Sequence, residues 1–443
     1  MKNLEYRAYQ NRAAKRAMGT DGALLVVSPG GSGKTVIAAL IVKLGRKLKK
    51  RILLVSHRRE IIHQTVKTLE KMREKASIIL AGETSEKHEA VIVASISTLA
   101  KRSLFPEADI VIIDEAHRSA AASYARLIEH YKKRGTKVIG LTATPRRLDG
   151  LGLGEHYDEL YEAAKPSQLL GKYIMKPRVY SAPPECLPDL VGVKSKDGEF
   201  NTNDLVSRIN KMGLIGGIVD HVKRHWRKNS LGVLFACSIE HSERCAAALQ
   251  KAGFRARHID GEFLPGKRDE LIEEIKTGKI DILCCCMLLT EGWDLPECDL
   301  VIMARPTRSE SLYIQMANRG ARRGKHRPII LDHACNTVMH RYSWIDREWS
   351  LDGVVLGDPK KLVDYRICRS CGCINDVDEE FCEECGLSLK RERKLSPAEQ
   401  AQLQLVEWSK QEKLRRAKKI RDFAEKRGFG KKWIEKVEEL WLV

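Results

Sequence analysis

Short apolar runs alternate along the chain with segments whose apolar residues recur at helical spacing, and this alternation occurs twice. The first series of runs is Ala23–Ser28, Ile52–Ser56, Ile78–Leu80, Val91–Ser95, Ile110–Ile113 and Val138–Leu141. The second series is Gly232–Ser238, Ala256–Ile259, Ile280–Cys286, Leu300–Ala304 and Ile329–Leu331. Each run is apolar throughout rather than alternating, as in strands of a parallel sheet that is covered on both faces. With helices predicted between them, such as Val36–Leu48, Ile239–Ala252 and Lys267–Lys276, the runs predict an α/β fold with two doubly wound domains, over 1–165 and 210–345.

Three other segments lack this pattern. Residues 166–209 contain four prolines between positions 177 and 188, which exclude a long helix and predict a connecting segment. Residues 365–390 are rich in cysteine and poor in aliphatic side chains, so hydrophobic burial alone is insufficient to fold them. Residues 391–443 mix charged side chains with spaced apolar ones, as expected of a basic helical tail.

Composition narrows the class of protein. Of the 443 residues, 43% are apolar and 31% are charged, as in globular proteins, and no apolar run reaches the ~20 residues that cross a bilayer. Lysine and arginine number 78 against 59 acidic residues, and the resulting net charge of +19 favours a polyanionic partner. Met1–Gln10 lacks the apolar core of a secretory signal, so we expect a cytosolic protein without membrane contact. In the cytosol, its 13 cysteines are expected to be reduced thiols or metal ligands.

A glycine-rich stretch follows the first apolar run and precedes the predicted helix Val36–Leu48. It consists of Ser28, Pro29, Gly30, Gly31, Ser32, Gly33, Lys34 and Thr35. Glycine allows backbone N–H groups to close around a phosphate, while Lys34 reaches the β- and γ-phosphates and the Thr35 hydroxyl ligates Mg²⁺. The strand–loop–helix context therefore favours an ATP–Mg²⁺ site over a glycine-rich turn that binds nothing.

Two carboxylates follow the apolar run Ile110–Ile113. Because the carboxyl ends of parallel strands lie at one edge of a sheet, Asp114 and Glu115 are expected next to the phosphate loop. We expect Asp114 to hold Mg²⁺ and Glu115 to orient and deprotonate the attacking water. The alternative, an acidic helix N-terminus, is disfavoured by the phosphate loop in the same domain.

Four cysteines in two Cys-x2-Cys pairs lie in 365–390. They are Cys368, Cys371, Cys382 and Cys385. Each pair directs two sulfurs to one ion, so the spacing predicts a closed, structural Zn²⁺ site. Cys373 is a less suitably spaced spare, and the consecutive Cys284–Cys286 lie in a buried-strand pattern that favours core packing.

Seven shorter motifs, in chain order, resemble those of superfamily-two helicases over about 1–335. They lie in Arg7–Gln10, Ser56–Gln64, Ser95–Leu99, Thr142–Pro145, Phe235–Ser238, Thr290–Asp294 and Gln315–Arg322. The resemblance implies two RecA-like domains that bind ATP between them, followed here by a small zinc ribbon and the basic helical tail.

The resemblance also implies residue roles. It assigns ATP contacts to Arg7, Gln10, Gly292 and Asp294. It assigns the coupling of hydrolysis to movement to His117, Thr142 and Thr144. It assigns nucleic-acid contacts to Arg58, Ser95, Thr98, Ser238 and Thr290, although serine and threonine serve equally as helix caps and turns.

The last motif supplies positive charge for the transition state of phosphoryl transfer. Arg319 and Arg322 are three residues apart, so on a helix both project from one face, with Gln315 one turn earlier as a sensor of nucleotide state. Family analogy makes Arg322 the better candidate for the arginine finger. Asn318 replaces the glycine of related motors, which puts full ATP turnover in question.

The most similar group within the superfamily is the RadD-like bacterial repair ATPases. Arg305–Tyr313, Leu331–Asn336 and the cysteine pairs carry this resemblance. It implies an ATP-driven motor on DNA (single-stranded, forked or branched) in the cytosol of a bacterium or of a phage-infected host. Three alternatives stay open: an RNA helicase, a nucleic-acid-binding protein with an impaired ATPase, and the motor subunit of a restriction complex.

Overall fold

The computed structural model describes residues 6–85, 89–147, 152–182, 193, 195–196, 199–209, 214–260, 270–271, 273–275, 277–286, 298–320, 327–352, 365–368, 370–376 and 378–389. The chain divides into two compact units. The first unit contains the residues up to Ile174 and the segment that begins at Trp344, and the second contains most of the remainder. No helix in these ranges is both long enough and apolar enough to cross a membrane.

The first unit is built on one eight-stranded sheet with the order β4-β3-β5-β2-β6-β7-β1-β8. Its strands are β1 Ala23–Val27, β2 Ile52–Ser56, β3 Ser77–Leu80, β4 Glu83–Thr84, β5 Val91–Ser95, β6 Ile110–Asp114, β7 Lys137–Thr142 and β8 Glu159–Glu162. All neighbours are parallel except β3 and β4. Its helices are α1 Ala8–Gly19, α2 Lys34–Lys47, α3 Arg59–Lys71, α4 Ile96–Arg102, α5 Ala122–Lys132 and α6 Pro166–Leu169, with a 3-10 turn at Ala116–Arg118.

Strands β1, β2 and β5 of this sheet are buried along their whole length, which explains why they are apolar up to the serines that end β2 and β5. Their side chains pack against helix residues such as Leu99 and Tyr131. The chain returns to the first unit at Trp344. In this segment Leu351 O accepts from Gly154 N at 2.9 Å, and Asp346 Oδ2 accepts from Ser167 Oγ at 2.6 Å. The sequence pattern did not predict this return.

The second unit also has an eight-stranded sheet, with the order β13-β14-β12-β15-β16-β9-β18-β17, and a separate hairpin of β10 and β11. Its strands are β9 Arg178–Ser181, β10 Ser195–Lys196, β11 Glu199–Phe200, β12 Gly232–Phe235, β13 Ala256–Ile259, β14 Ile282–Cys285, β15 Leu300–Met303, β16 Ile329–Asp332, β17 Tyr365–Ile367 and β18 Cys373–Asp376. Its helices are α7 Thr202–Ile209, α8 Leu214–His225, α9 Ile239–Lys251, α10 Glu310–Ala317 and α11 Asn336–His340.

The two parallel sheets confirm the predicted α/β fold. The strand β9, however, lies in the segment 166–209 that was expected only to connect, and it pairs in parallel with β16. On its other side β9 pairs with β18 in antiparallel fashion, so the cysteine-rich segment extends the second sheet. Half of the predicted helix Lys267–Lys276 is described and is helical, whereas the basic tail 391–443 lies wholly outside the described residues.

Two of the three consecutive cysteines confirm the prediction of core packing, while Cys286, which follows β14, is only partly buried. Cys284 and Cys285 are buried in β14, and Cys284 belongs to the apolar cluster of the second unit. A parallel strand that is covered on both faces has no solvent-facing side, so both of these thiols are enclosed.

Candidate functional site

The glycine-rich loop connects the carboxyl end of β1 to the start of α2. Gly31 and Gly33 have φ angles of 77° and 86°, which is the left-handed region that glycine adopts without strain. At Gly33 a Cβ atom would lie 2.7 Å from Gln10 Nε2, so a larger residue would displace the Gln10 amide in addition to straining the backbone. Inside the loop the buried hydroxyls of Ser28 and Ser32 are 2.7 Å apart and hydrogen bonded. The loop therefore has a fixed, tight conformation suited to phosphate binding.

Three side chains from the N-terminal motif converge on one carbonyl oxygen of this loop, that of Ser32. Gln10 Nε2 donates to it at 2.9 Å, Arg7 Nη1 at 3.3 Å, and the Tyr9 hydroxyl donates as well. Gln10 Oε1 also accepts from the Arg7 N–H at 3.0 Å. The residues that family resemblance assigns to adenine recognition are thus joined directly to the phosphate loop.

Sequence reasoning missed the partner of Arg7 on its other side. The Arg7 guanidinium carbon lies 3.9 Å from the centre of the Tyr173 ring, which is cation–π geometry. Tyr173 is distant in the sequence and belongs to no motif, so no local signal reveals it. Tyr9, by contrast, lies inside the recognised motif and was overlooked there.

The acidic pair faces the phosphate loop. Lys34 Nζ lies 4.0 Å from Glu115 Oε1, which brings together the two residues assigned to phosphate binding and to water activation. Glu115 has a φ of 52°, a left-handed conformation that is uncommon outside glycine, and its N–H donates to Asp114 Oδ1 at 3.0 Å. Uncommon backbone conformations of this kind cluster at functional sites.

The charge at this pair fits a divalent cation. Burial and the neighbouring Glu115 charge raise the pKa of Asp114 to about 7, although the Lys34 charge opposes the shift. In the described part of the chain, Glu115 Oε2 is buried and accepts no hydrogen bond. Crowded carboxylate oxygens and the Thr35 hydroxyl at the start of α2 are the hard oxygen donors that Mg²⁺ prefers.

A second network connects the acidic pair to the motif after β7. His117 Nδ1 lies 3.5 Å from Glu115 Oε2 and 3.4 Å from Thr142 Oγ1. Thr142 Oγ1 in turn donates to Thr144 O at 2.9 Å and accepts from Thr144 N at 3.1 Å. Since Ser28 N donates to Thr142 O at 2.9 Å, the three residues assigned to coupling contact both the acidic pair and the phosphate loop.

The residues assigned to nucleic-acid contact have local partners. Ser95 and Thr98 are only 3% and 5% exposed, and Ser95 Oγ is hydrogen bonded to Ser97 Oγ at 2.8 Å. Ser238 Oγ caps helix α9 by accepting from His241 N at 3.1 Å. Arg58 Nε donates to His57 Nε2 at 3.1 Å. Thr290 lies outside the described residues, and all five assignments stay predictions.

The last helicase motif departs from the expected helix. Helix α10 contains Gln315 and ends at Ala317, so Arg319 follows the helix in a turn, where its N–H donates to Met316 O at 3.2 Å. Arg319 thus lies just beyond the end of α10, and the face that it is expected to share with Arg322 stays a prediction. Asn318 has an ordinary right-handed φ of −72°, so this position does not need glycine for its backbone conformation. Arg322 lies outside the described residues, as do Gly292 and Asp294.

The four predicted cysteines are close together. The sulfurs of Cys368, Cys371, Cys382 and Cys385 all lie within 4.8 Å of one another. Cys368 and Cys385 are separated by 3.5 Å between sulfurs, and Cys371 and Cys382 by 3.6 Å. Four thiolates at ~2.3 Å from one Zn²⁺ are about 3.8 Å apart, so the quartet fits this ion.

The spare cysteine is outside the quartet. Cys373 is buried in β18, and its thiol is directed to Ile374 O at 3.6 Å. Asn375 braces the two cysteine knuckles instead, because its Nδ2 donates to Cys373 O at 2.8 Å and its Oδ1 accepts from Glu383 N at 3.0 Å. The quartet therefore lies on a hydrogen-bonded frame at the edge of the second sheet.

Comparison with known proteins agrees with this geometry. The family described as "Type III restriction enzyme, res subunit" matches residues 3–147, and the "Helicase conserved C-terminal domain" matches residues 215–324. The chain is built from the motor domains of superfamily-two helicases. This helicase is 28% identical over 392 residues to a "51.5 kDa protein" of a Lactococcus phage, covering 87% of its own length and 83% of that protein.

Two further relatives have larger chains. The helicase is 30% identical over 312 residues to the "Putative ATP-dependent helicase IRC3" of Saccharomyces cerevisiae, covering 66% of its own length and 45% of the yeast protein. It thus spans about half the length of this curated relative. Among solved structures, the "ATP-dependent Type ISP restriction-modification enzyme LlaBIII bound to DNA" has a TM-score of 0.55 at 18% identity, over 74% of the helicase and 28% of that chain. This likeness supports the fold.

Proposed function

We propose that this helicase is an ATP-driven motor that acts on DNA and couples hydrolysis to strand tracking, unwinding or branch migration. The observation that carries the proposal is the meeting of Lys34 and Glu115 at 4.0 Å beside a phosphate loop whose Ser32 carbonyl is held by Gln10. Phosphoryl transfer requires this pairing of a phosphate-binding cation with a carboxylate that activates water.

In the first motor domain, residues 28–35 bind the phosphates of ATP through backbone N–H groups and through Lys34. Thr35 and Asp114 are the residues that would hold Mg²⁺, which neutralises charge on the β- and γ-phosphates when bound. Glu115 orients the attacking water and accepts its proton. Gln10 and Arg7 select the nucleotide base.

Residues of the second motor domain complete the reaction in the proposal. Arg319 and Arg322 stabilise the charge that develops on the γ-phosphoryl oxygens, Gln315 senses the nucleotide state, and Gly292 and Asp294 contact the nucleotide. His117, Thr142 and Thr144 couple hydrolysis to movement, because their network contacts both Ser28 and Glu115. A closed domain arrangement favoured by ATP and released after hydrolysis then advances the strand.

DNA is preferred over RNA because of the resemblance to RadD-like repair ATPases. We place this work in the bacterial or phage-infected cytosol, with the quartet of thiolates as a structural Zn²⁺ site. Two alternatives share this ATP site. The first is an RNA helicase. The second is a nucleic-acid-binding protein whose ATP turnover is impaired by Asn318.

The deciding experiment measures ATP turnover and strand displacement with single-stranded DNA, duplex DNA, forks, branched DNA and RNA. We expect turnover to be stimulated most by a DNA structure and to be absent from Lys34→Ala. Stimulation by RNA alone would establish the RNA helicase instead. If no nucleic acid stimulates turnover but binding persists, the protein is the impaired ATPase.

A further inference from the structure

The second motor domain contains a buried arginine, Arg305, that forms no ion pair with any residue the structure describes. Arg305 follows the strand β15 and is only 5% exposed. Its Nε is buried and donates no hydrogen bond, and no carboxylate in the described part of the chain forms an ion pair with it. Because an uncompensated buried guanidinium carries a large desolvation penalty, proteins keep one there when an anion binds to it.

Side chains hold the backbone around Arg305 in place through hydrogen bonds to its main-chain atoms rather than to its guanidinium. Asn336 is the central clamp, with its Nδ2 donating to Arg305 O at 2.9 Å and its Oδ1 accepting from Thr307 N at 3.0 Å. Ser309 N donates to Thr307 Oγ1 at 3.0 Å, and Arg308 N donates to Glu199 Oε1 at 2.9 Å. A rigid support of this kind keeps a binding group in position before its ligand arrives.

The guanidinium lies at the edge of the sheet where α/β proteins bind ligands. Strand β15 is the parallel neighbour of β12, and Cys237, which follows β12, donates its thiol to Ala304 O at 3.3 Å. Arg305 also acts electrostatically on Cys286, which follows β14, and Glu199 and Asp260 are further charged groups near these two thiols. Burial raises the pKa of both thiols, so they are neutral at pH 7 and supply no counter-charge.

We propose that Arg305 is the centre of a phosphate-binding site in the second motor domain, and that the phosphate belongs to the nucleic-acid backbone. Arginine suits this ligand, since its planar donors match two phosphate oxygens. The same sheet edge carries Ser238, which follows β12, caps helix α9 and is a candidate nucleic-acid contact of this domain. The source of the phosphate rests on the proposed motor function, while the anion site itself does not.

The test compares Arg305→Met with a matched control, Arg255→Met. The control substitution also removes one positive charge. Arg255, however, precedes β13 and pairs with Asp281 at the amino-terminal ends of the strands, whereas Arg305 lies at their carboxyl ends. Binding of nucleic acid is measured without nucleotide over a range of salt concentrations. We expect Arg305→Met to weaken binding and to reduce the slope of log affinity against log salt by about 1, and Arg255→Met to leave both unchanged.

Stability gives a second readout that separates ligand binding from a structural role. Because the guanidinium forms no ion pair among the described residues, Arg305→Met should unfold at the same or a higher temperature than the parent protein. Inorganic phosphate should raise the melting temperature of the parent and of Arg255→Met, and should have less effect on Arg305→Met. Arg305→Lys, which keeps the charge but loses the two-oxygen geometry, should lie between the parent and Arg305→Met.

A fluorescent ATP analogue separates the two sources of phosphate. Weaker nucleic-acid binding with unchanged analogue binding supports the proposal. Weaker analogue binding with unchanged nucleic-acid binding overturns the backbone as the source and assigns the phosphate to the nucleotide. Equal affinities, equal salt slopes and equal stabilisation by inorganic phosphate in parent and Arg305→Met overturn the site. A parent protein that binds no nucleic acid contradicts the proposed motor instead, and the inorganic-phosphate measurement still tests Arg305.

Discussion

The Arg7 guanidinium lies 3.9 Å from the ring centre of Tyr173 while its Nη1 donates to Ser32 O at 3.3 Å. One arginine therefore connects the phosphate loop to a residue beyond helix α6. The Tyr173 ring limits the directions in which the guanidinium can point, and a cation–π contact of this kind stabilises by about 0.5–1 kcal/mol or more. Under the proposed contact of Arg7 with ATP, Tyr173 is a positioning residue that acts on the nucleotide through Arg7.

We expect Tyr173→Ala to raise the KM for ATP about two- to five-fold, which corresponds to the loss of one such contact, while kcat changes little. Tyr173→Phe keeps the aromatic face and should behave like the parent. The measurement is steady-state ATP hydrolysis at saturating nucleic acid, with GTP as the competing nucleotide. An unchanged KM in Tyr173→Ala would contradict the positioning role.

Separate substitutions of Lys34 and Glu115 should have different effects despite their proximity. Lys34→Ala removes the cation that holds the phosphates, so both ATP binding and hydrolysis should be lost. Glu115→Gln keeps the shape of the side chain but cannot accept the proton, so ATP should still bind while kcat falls by about 10²–10⁴. Equilibrium binding and single-turnover hydrolysis separate the two, and full turnover by Glu115→Gln would exclude it as the base.

Features fixed by neighbouring residues could be predicted from the sequence, while features fixed by distant contacts could not. All the predicted apolar runs contain strands, because a buried parallel strand needs apolar side chains on both faces. The cysteine quartet was found because two Cys-x2-Cys pairs determine their own geometry. Strand β9, in contrast, is short, lies beside prolines and is stabilised by pairing with β16 and β18.

The same distinction applies to the candidate sites. The glycines and Lys34 lie in one continuous motif and could be predicted from it. Tyr173 could not be predicted because only the fold brings Arg7 to its ring, and Arg305 could not because only the fold buries it. The end of helix α10 at Ala317 also escaped prediction, since the three-residue spacing of two arginines indicates a shared face only where a helix continues.

Zinc removal should affect more than the small segment that binds it. Strand β18 covers the edge of β9, so unfolding of 365–389 would expose that edge of the second sheet. We expect one Zn²⁺ per chain by elemental analysis. Chelation or Cys382→Ser should lower the stability of the second domain without weakening ATP-analogue binding to the first. Cys373→Ser is the matched control and should retain zinc, because the Cys373 sulfur is outside the quartet. Purified protein that contains no zinc and has the same unfolding temperature with and without chelator would contradict the assignment.

Two buried histidines give the second unit a pH-dependent stability. His221 Nδ1 and His333 Nε2 are 3.2 Å apart, with exposures of 6% and 0%. Burial lowers the pKa of His221 to about 2, with a further contribution from the His333 charge, and burial lowers the pKa of His333 to about 3. Both rings are therefore neutral in the folded protein at pH 7.

The direction of the effect follows from the unfolded state, in which each histidine has a pKa of ~6.5. Below that value the unfolded chain binds protons that the folded chain does not, so the free energy of unfolding falls as the pH decreases toward the folded pKa values. For each histidine the slope approaches about 1.4 kcal/mol per pH unit only below the unfolded pKa of ~6.5. The pair should therefore cost about 3 kcal/mol between pH 7.5 and pH 5.5, most of it in the lower half of that range. Urea unfolding of His221→Gln should show a shallower dependence on pH than the parent, whereas His63→Gln, at a partly exposed position in the first unit, should not. Equal slopes in the parent and His221→Gln would mean that this pair is protonated in the folded state.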